Sequence, residues 1–324
     1  MSCRNINLSL DNVINVTGDL FTMVDDFGNY VFYNLDSTQA SGTFSVDISS
    51  SNFTLTSFTQ SGVYSSCYNP TYDGDATAFI IAGEITDETQ KSAIHRLTID
   101  LKSNNLWNKL KCIYPFVGGT ELAHRQNLKI SHIQDVVAFK LSFYGGFTHS
   151  SNGVYPNGSN GYAAISFSPS THLSGTSSVS LGYYSRTTTS TNAMAFSNVS
   201  GNRLFLYLKF ASGDLTIFDC YRTTGGFRVS TTGVNTSGFL IGSRVSSTDS
   251  RLYKNGSQIG TTQTTLMVNS PSTGFMDLFR QSPGTLYSNC ECAFAFIGDG
   301  LTSDEVSTLN TIVNTFQTTL GRNV

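Results

Sequence analysis

From Cys112 onward, apolar residues come in short runs with period-two character, divided by Gly, Asn and Ser. The clearest runs are YAAISFS (162–168), SVSLGYYSR (178–186), RLFLYLKF (203–210), DLTIFDCYR (214–222), GFLIGSRV (238–245) and CAFAFIG (292–298). Alternate side chains of a strand face opposite sides of a sheet. Short strands punctuated this way predict an all-β sandwich. Within SRLYKNGSQIGT (250–261), Asn255-Gly256 suits a two-residue type I′ hairpin turn, because both central residues must take positive φ. That turn sets Lys254 opposite Ser257, Tyr253 opposite Gln258 and Leu252 opposite Ile259. Leu252 and Ile259 then share an inner face, and Arg251, Tyr253 and Gln258 the outer one.

Helical spacing takes over in two places. DATAFIIAGEI (75–85) and TDETQKSAIHRLTIDLKSNNLWNKLK (86–111) carry it; Ala93, Ile94, Leu97 and Leu101 form one stripe. Thr86 is the expected N-cap, with Asp87 and Glu88 in the first turn and Asn104-Asn105 as the stop. At the end of the chain, Thr302 or Ser303 caps a helix whose Val306, Leu309, Ile312, Val313, Phe316 and Leu320 share a face. Gly321 follows as a stop, and the helix is expected to dock on the sandwich.

The first 70 residues read as a small β module with strands at LFTMVDD (20–26), NYVFYNL (29–35), TFSVDIS (43–49) and FTLTSFT (53–59). Four strands in so few residues bury little core, so the module is expected to lean on a partner or on copies of itself. YNPTYDGD (68–75) reads as a linker. The expected organisation is a β module (1–70), a helical connector (71–112) and a sandwich with a terminal helix (113–324).

Composition narrows the function. Of 324 residues, 13% are charged and 12% aromatic, with a net charge of −3. Globular chains usually carry about a quarter charged residues; here Ser, Thr, Asn and Gly replace them. Without a basic run, nothing points to nucleic acid. The apolar stretches fall far short of a membrane span. The start, MSCRNINLSLDNVINV, has neither a basic n-region nor a continuous apolar run and does not read as a secretory signal.

Few residues suggest chemistry. The cysteines at 3, 67, 112, 220, 290 and 292 contain no C-x-x-C unit. Cys290 and Cys292 fall on one face of a strand, as buried apolar residues would; a Cys3–Cys67 bridge and a metal site remain alternatives. The histidines at 95, 124, 132, 149 and 172 lack HExxH spacing, and His95 reads as a helix-boundary residue. No G-x-S-x-G appears. Gly118-Gly119 and Gly145-Gly146 read as turns. Calcium is open to a fold whose loops offer Asp and Asn oxygens, but Asp73-Gly74-Asp75 reads as linker and helix cap, and no cofactor is expected.

Taken in order, DGDATAFIIAGEITDETQKSAIHRLTIDLK, LWNKLKCIYPFVGGT, YGGFTHSSNGVYPNGSNGYA, LGYYSR, FLIGSR, RLYKNGSQIGT and ECAFAFIGDGLTSDEVSTLNTIVNTFQTTLGR resemble laminin-G-like, concanavalin-A-like jelly rolls of tailed bacteriophages and prophages, especially of Bacteroidetes-type hosts. The resemblance spans roughly residues 73–322. It implies a virion structural protein of tail- or head-fibre type, with the variable N-terminal part as the mount to other virion proteins. Jelly rolls also occur in glycoside hydrolases. Retaining enzymes need two carboxylates about 5 Å apart, and the related laminarinase-like enzymes carry them as E-x-D-x-x-E, which is absent here.

Sugar recognition needs an aromatic platform and neutral polar groups. NGVYPNGSNGY (152–162) offers Tyr155 to stack on a pyranose, with Asn157 and Asn160 to bond hydroxyls. The alternative is that these are turn residues selected for positive φ, with Tyr162 opening a strand. The expected function is a non-catalytic, multi-copy virion appendage, a trimer being one such form, that adheres to host-surface glycans. A purely structural capsid or tail decoration protein and a polysaccharide hydrolase or lyase are the other readings.

Overall fold

The computed structural model describes residues 72–129, 139–175, 177–198, 200–222, 227–266, 269–282 and 286–324, and the backbone of five strands before them. The chain divides into two compact units, Met1–Tyr72 and Asp73–Val324. In the first, β1 (Cys3–Ile6) pairs antiparallel with β5 (Tyr64–Cys67), in a register that sets Cys3 opposite Cys67. A second sheet has the order β3-β2-β4, from β2 (Leu20–Asp25), β3 (Tyr30–Asn34) and β4 (Phe53–Leu55). The expected strand at 43–49 lies outside the described residues.

The second unit is an all-β sandwich with a helical layer. It opens with α1 (Gly74–Ala82), α2 (Glu88–Ser103), β6 (Leu110–Tyr114) and α3 (Glu121–His124). Next come β7 (Ser142–Tyr144), β8 (Phe147–Ser150), β9 (Gly153–Pro156), β10 (Tyr162–Ile165) and a helical turn, α4 (Pro169–His172). β11 (Val179–Ser185), β12 (Ala193–Asn198), β13 (Arg203–Phe210), β14 (Leu215–Arg222), β15 (Arg228–Thr232) and β16 (Gly238–Ser246) follow. β17 (Asp249–Lys254), β18 (Ser257–Gln263), β19 (Met276–Leu278), β20 (Cys292–Gly298) and α5 (Ser303–Thr319) complete it.

One sheet has the order β15-β14-β13-β12-β19-β10-β7. The other runs β18-β17-β16-β11-β20-β9-β8, with β6 also pairing to β20. All these pairings are antiparallel. Their inner faces meet over Leu181, Tyr183, Phe196, Leu206, Phe218, Leu240, Leu278 and Ile297. Cys290 and Cys292 sit buried as free thiols in this core. The hairpin keeps the expected register, and Leu252 packs inward with Ile259.

The outer face of the eight-stranded sheet is aromatic and covered. Phe239 meets Phe294 edge-on at 5.9 Å, and Phe294 meets Phe316 of α5 at 6.4 Å. On β11, opposite Phe296, stands Gly182; a Cβ there would fall 2.0 Å from the Phe296 ring. Glycine lets that ring lie flat across the neighbouring strand. The α5 stripe buries Val306, Leu309, Ile312, Val313 and Phe316 as its spacing requires, and Thr302 with Glu305 forms a capping box. Gln317 is buried on the same face. Arg322, also buried, fixes the chain end: it donates to the carbonyls of Phe116 (2.8 Å), Pro115 (3.2 Å), Ala293 (3.2 Å) and Ser151 (3.3 Å), and to Gln317 Oε1 (2.9 Å).

Three expectations change. Residues 73–112, expected as a connector, belong to the same compact unit as the sandwich: α2 packs on α5, and β6 extends the sheet. The N-cap of α2 is Asp87, not Thr86; its carboxylate accepts from the Gln90 amide at 2.8 Å, and a carboxylate at the positive end of a helix is worth more than a hydroxyl. Tyr253 is not an exposed ring. It is 2% exposed, and its hydroxyl lies 3.0 Å from Ser303 Oγ at the start of α5.

Candidate functional site

The helical layer lies against the eight-stranded sheet. The outer face of the seven-stranded sheet is buried over Met194, Phe205, Tyr207 and Ile217 and opens toward its β7 edge, where Tyr144 is exposed. At its β7 edge the chain passes between the sheets twice, once from β7 to β8 and once from β9 to β10. Gly145, with φ +81°, and Gly146 make the first crossing. The second, residues 157–161, presses directly on it. A Cβ on Gly145 would fall 2.2 Å from the Asn160 carbonyl oxygen, and one on Gly146 would fall 2.2 Å from Asn157 Nδ2. The two glycines are what allow the crossings to touch.

The asparagines bind this corner together. Asn157 Oδ1 accepts the amides of Ser159 (3.0 Å), Asn160 (3.0 Å) and Gly161 (3.1 Å). Asn157 Nδ2 donates to Asn160 Oδ1 at 2.7 Å, which also accepts the Gly146 amide at 3.0 Å. Local side-chain bonds of this type stabilise a turn against competing conformations. Gly158 supplies the positive φ in the loop; neither asparagine does. Asn160 Nδ2 keeps donor capacity toward solvent, since the bonds above use only its oxygen and its residue is exposed.

Next to this corner stands an aromatic stack. Tyr144 and Tyr162 are direct cross-strand partners, with rings 5.0 Å apart and 17° from parallel. The Arg280 guanidinium lies 3.3 Å over the Tyr162 ring. Asp277 is 1% exposed and holds Arg280 through Nε and Nη2, both at 2.8 Å. Inward neighbours Ala163 and Ile165 lie in the core, which turns Tyr162 and Ala164 outward. Tyr144 is 50% exposed. Arginine stacked on an aromatic face and fixed by a carboxylate forms a rigid, nearly neutral platform. Burial raises the Asp277 carboxyl, and Arg280 works against that rise.

Further along the same face, Asp219 is buried and takes Arg228 bidentately at 2.8 and 2.7 Å. Tyr207 donates to Gln281 Oε1 at 2.8 Å. Burial first, then the nearby Asp219, pushes its phenol up to about 12.

Tyr155 stands on β9, in the other sheet; it is 39% exposed between buried Val154 and Pro156. The structure therefore brings Asn157 and Asn160 together but leaves Tyr155 on a different sheet from Tyr144 and Tyr162. Sequence reading missed the Tyr144–Tyr162–Arg280 stack. Period two could have turned both tyrosines outward, but no local pattern joins them to Arg280, which is 118 residues beyond Tyr162.

A depression of about 320 Å³ lies where the hairpin meets α5 and is lined by Asp249, Arg251, Tyr253 and Ser303 among others. Its polar groups largely satisfy one another: Arg251 bonds Asp249 at 2.7 and 2.9 Å and Ser303 Oγ at 2.9 Å. Asp73 and Asp75 are bridged by Lys102 at 2.8 and 2.6 Å, with Asp73 capping α1. Among the described residues, no three His, Cys, Asp or Glu side chains converge as metal ligands, and no helix is long and apolar enough to cross a membrane.

No family model and no curated protein matches the chain. It is similar to domain 4 of AbnA, a GH43 extracellular arabinanase of Geobacillus stearothermophilus, in complex with arabinotriose: identity 14%, TM-score 0.44, covering 62% of this chain and 98% of that one. It is also similar to the binding domain of botulinum neurotoxin serotype G (13%, TM-score 0.39, 63% and 51%). A third similarity is to a mutant Trypanosoma rangeli sialidase displaying trans-sialidase activity (9%, TM-score 0.40, 88% and 43%). The chain spans about half the length of the toxin domain and under half that of the sialidase.

Proposed function

We propose that this chain is a virion protein of a tailed bacteriophage that holds host-surface glycans at the open β7 edge of its seven-stranded sheet. The half-exposed Tyr144 ring, backed by Tyr162 and Arg280 beside the asparagine-bound corner, carries the glycan part. A flat ring next to neutral amides suits the apolar face and hydroxyls of a sugar, and the ion-paired Arg280 and Asp277 add no net charge. The reading is non-catalytic: the carboxylates of this face, Asp219 and Asp277, are each clamped by an arginine. The virion part rests on the ordered resemblance over residues 73–322. In it, residues 1–70 mount the chain on other virion proteins, and several copies raise weak sugar contacts by avidity. The protein is assembled in the bacterial cytoplasm and resides in the particle.

The test is binding of the purified full chain to a glycan array and to whole bacterial cells, with released sugar monitored. Saturable binding without product, lost in Tyr144→Ala, is the expected result. Released oligosaccharide would overturn the non-catalytic reading. A folded sample that binds no glycan and no cell points to a structural decoration protein.

A further inference from the structure

Behind the Tyr144 corner, α3 and β8 meet through two imidazoles. His124 Nδ1 and His149 Nδ1 are 2.9 Å apart, with ring centroids at 5.1 Å. One nitrogen must donate and the other accept, so the contact holds only while at least one Nδ1 is unprotonated. His124 is 1% exposed, and its Nε2 has no hydrogen-bond partner. An imidazolium at His124 would bury a second N–H with nothing to receive it.

The walls do not welcome charge. His124 meets the Phe116 ring edge-on at 5.6 Å. His149 meets Phe143 of β7 at 4.9 Å and Phe147 at 6.0 Å. From the end of α5 comes the buried Arg322 cation, satisfied by carbonyl oxygens rather than by a carboxylate. On α3, Glu121 favours a charged His149, and Arg125 follows His124 in the chain. Phe143 is the residue before Tyr144, so β8 cannot shift without disturbing the strand that carries the platform.

We propose that the His124–His149 contact is an acid-sensitive latch that holds the β7–β8 corner against α3 at neutral pH and releases it, with Tyr144, on acidification. Full protonation leaves two N–H donors facing each other across 2.9 Å, next to Arg322. Burial first, then His149 and Arg322, hold His124 down at about 3. Burial also lowers His149, against the pull of Glu121. Both folded values lie below the unfolded histidine value of about 6.5. The stability tied to the neutral pair is therefore complete above about pH 6.5 and is lost as pH falls toward the folded values.

Hydrogen exchange of the ligand-free full chain, at about pH 7.5 and pH 4.5 and corrected for intrinsic rates, tests the latch. Residues 120–126 and 143–156 should lose protection about tenfold or more in acid, with β13 and β14 unaffected. In the double variant His124→Gln/His149→Gln, or in His124→Phe/His149→Phe should the first not fold, this pH step should vanish. Unchanged protection of the corner in the wild-type chain, a uniform loss over all segments, or the same pH step in the variant overturns the proposal. Control over a bound ligand rests on the glycan reading, and a second arm addresses it by measuring glycan affinity over the same pH range. Absence of binding at any pH sinks the glycan reading and leaves the ligand-free result standing.

Discussion

On β20 and β11, the side chains turned out from the eight-stranded sheet are Phe294, Phe296 and Tyr184, all buried in the region covered by helices. On β7, β10 and β19, those turned out from the seven-stranded sheet are Tyr144, Tyr162 and Asp277, completed by Arg280 and with Tyr144 half exposed. The same alternation builds both faces. Phe294 and Phe296 offer water no hydrogen bond and are covered; Tyr184, covered with them, has its hydroxyl bonded to Asn323 Oδ1 at 2.7 Å, whereas Tyr144 and Arg280 pair an apolar body with a polar tip and can remain at the surface. The face under the helices is therefore consumed by folding. On the seven-stranded sheet the outward Met194, Phe205, Tyr207 and Ile217 are buried too, and Tyr144 stands half exposed at the β7 edge.

Substitutions can break this division. Phe294→Ala, on the covered face, should cost about 3–5 kcal/mol in chemical denaturation. A loss below about 1 kcal/mol would mean that α5 does not depend on that face. Tyr144→Ala, at the open β7 edge, should reduce glycan affinity about tenfold, which is about 1.4 kcal/mol, while shifting stability by under about 1 kcal/mol. The opposite pattern, large destabilisation with binding retained, would make Tyr144 a packing residue.

Asn157→Ala sharpens the role of the corner. It removes the acceptor shared by three amides and should cost about 1 kcal/mol, with a smaller loss of affinity than Tyr144→Ala. Affinity falling further than for Tyr144→Ala would make Asn157 a direct sugar contact. The smallest effect concerns Asp299, directly after β20. Burial raises its carboxyl, but the Ser174 amide and hydroxyl and Lys111 outweigh burial and hold it below the usual aspartate range. Its contribution is present above about pH 4 and is lost as pH falls through the folded value. Thermal denaturation should show Asp299→Asn less stable than the parent at pH 7, with the gap closing in acid. A gap that persists at pH 2–3 would trace the loss to packing.

Legibility followed the range of the interactions involved. RLFLYLKF is β13, the Asn-Gly turn fixes the hairpin register, and the α5 stripe is buried as read from Val306 to Phe316, with Leu320 the half-buried C-cap. Each of these is set by neighbours within a few positions. The N-cap of α2 was misread by one residue because Thr86 and Asp87 both suit that position, and only the observed carboxylate bond decides between them. Tyr253 was read as surface because nothing near residue 253 shows that Ser303 will lie over it. Asn157 and Asn160 were legible as a polar loop, but not their bonds to each other and to Gly146.

The sequence by itself determined the sandwich class, most strand positions, the terminal helix and the neutral polar surface, because periodicity, turn residues and caps act locally. Only the tertiary structure decided which sheet would be covered, that Arg280 would lie on Tyr162, and that His124 would meet His149. Those contacts join residues 25 to 118 positions apart. They depend on strand order and on the crossings between sheets, which side-chain alternation along a single strand does not encode.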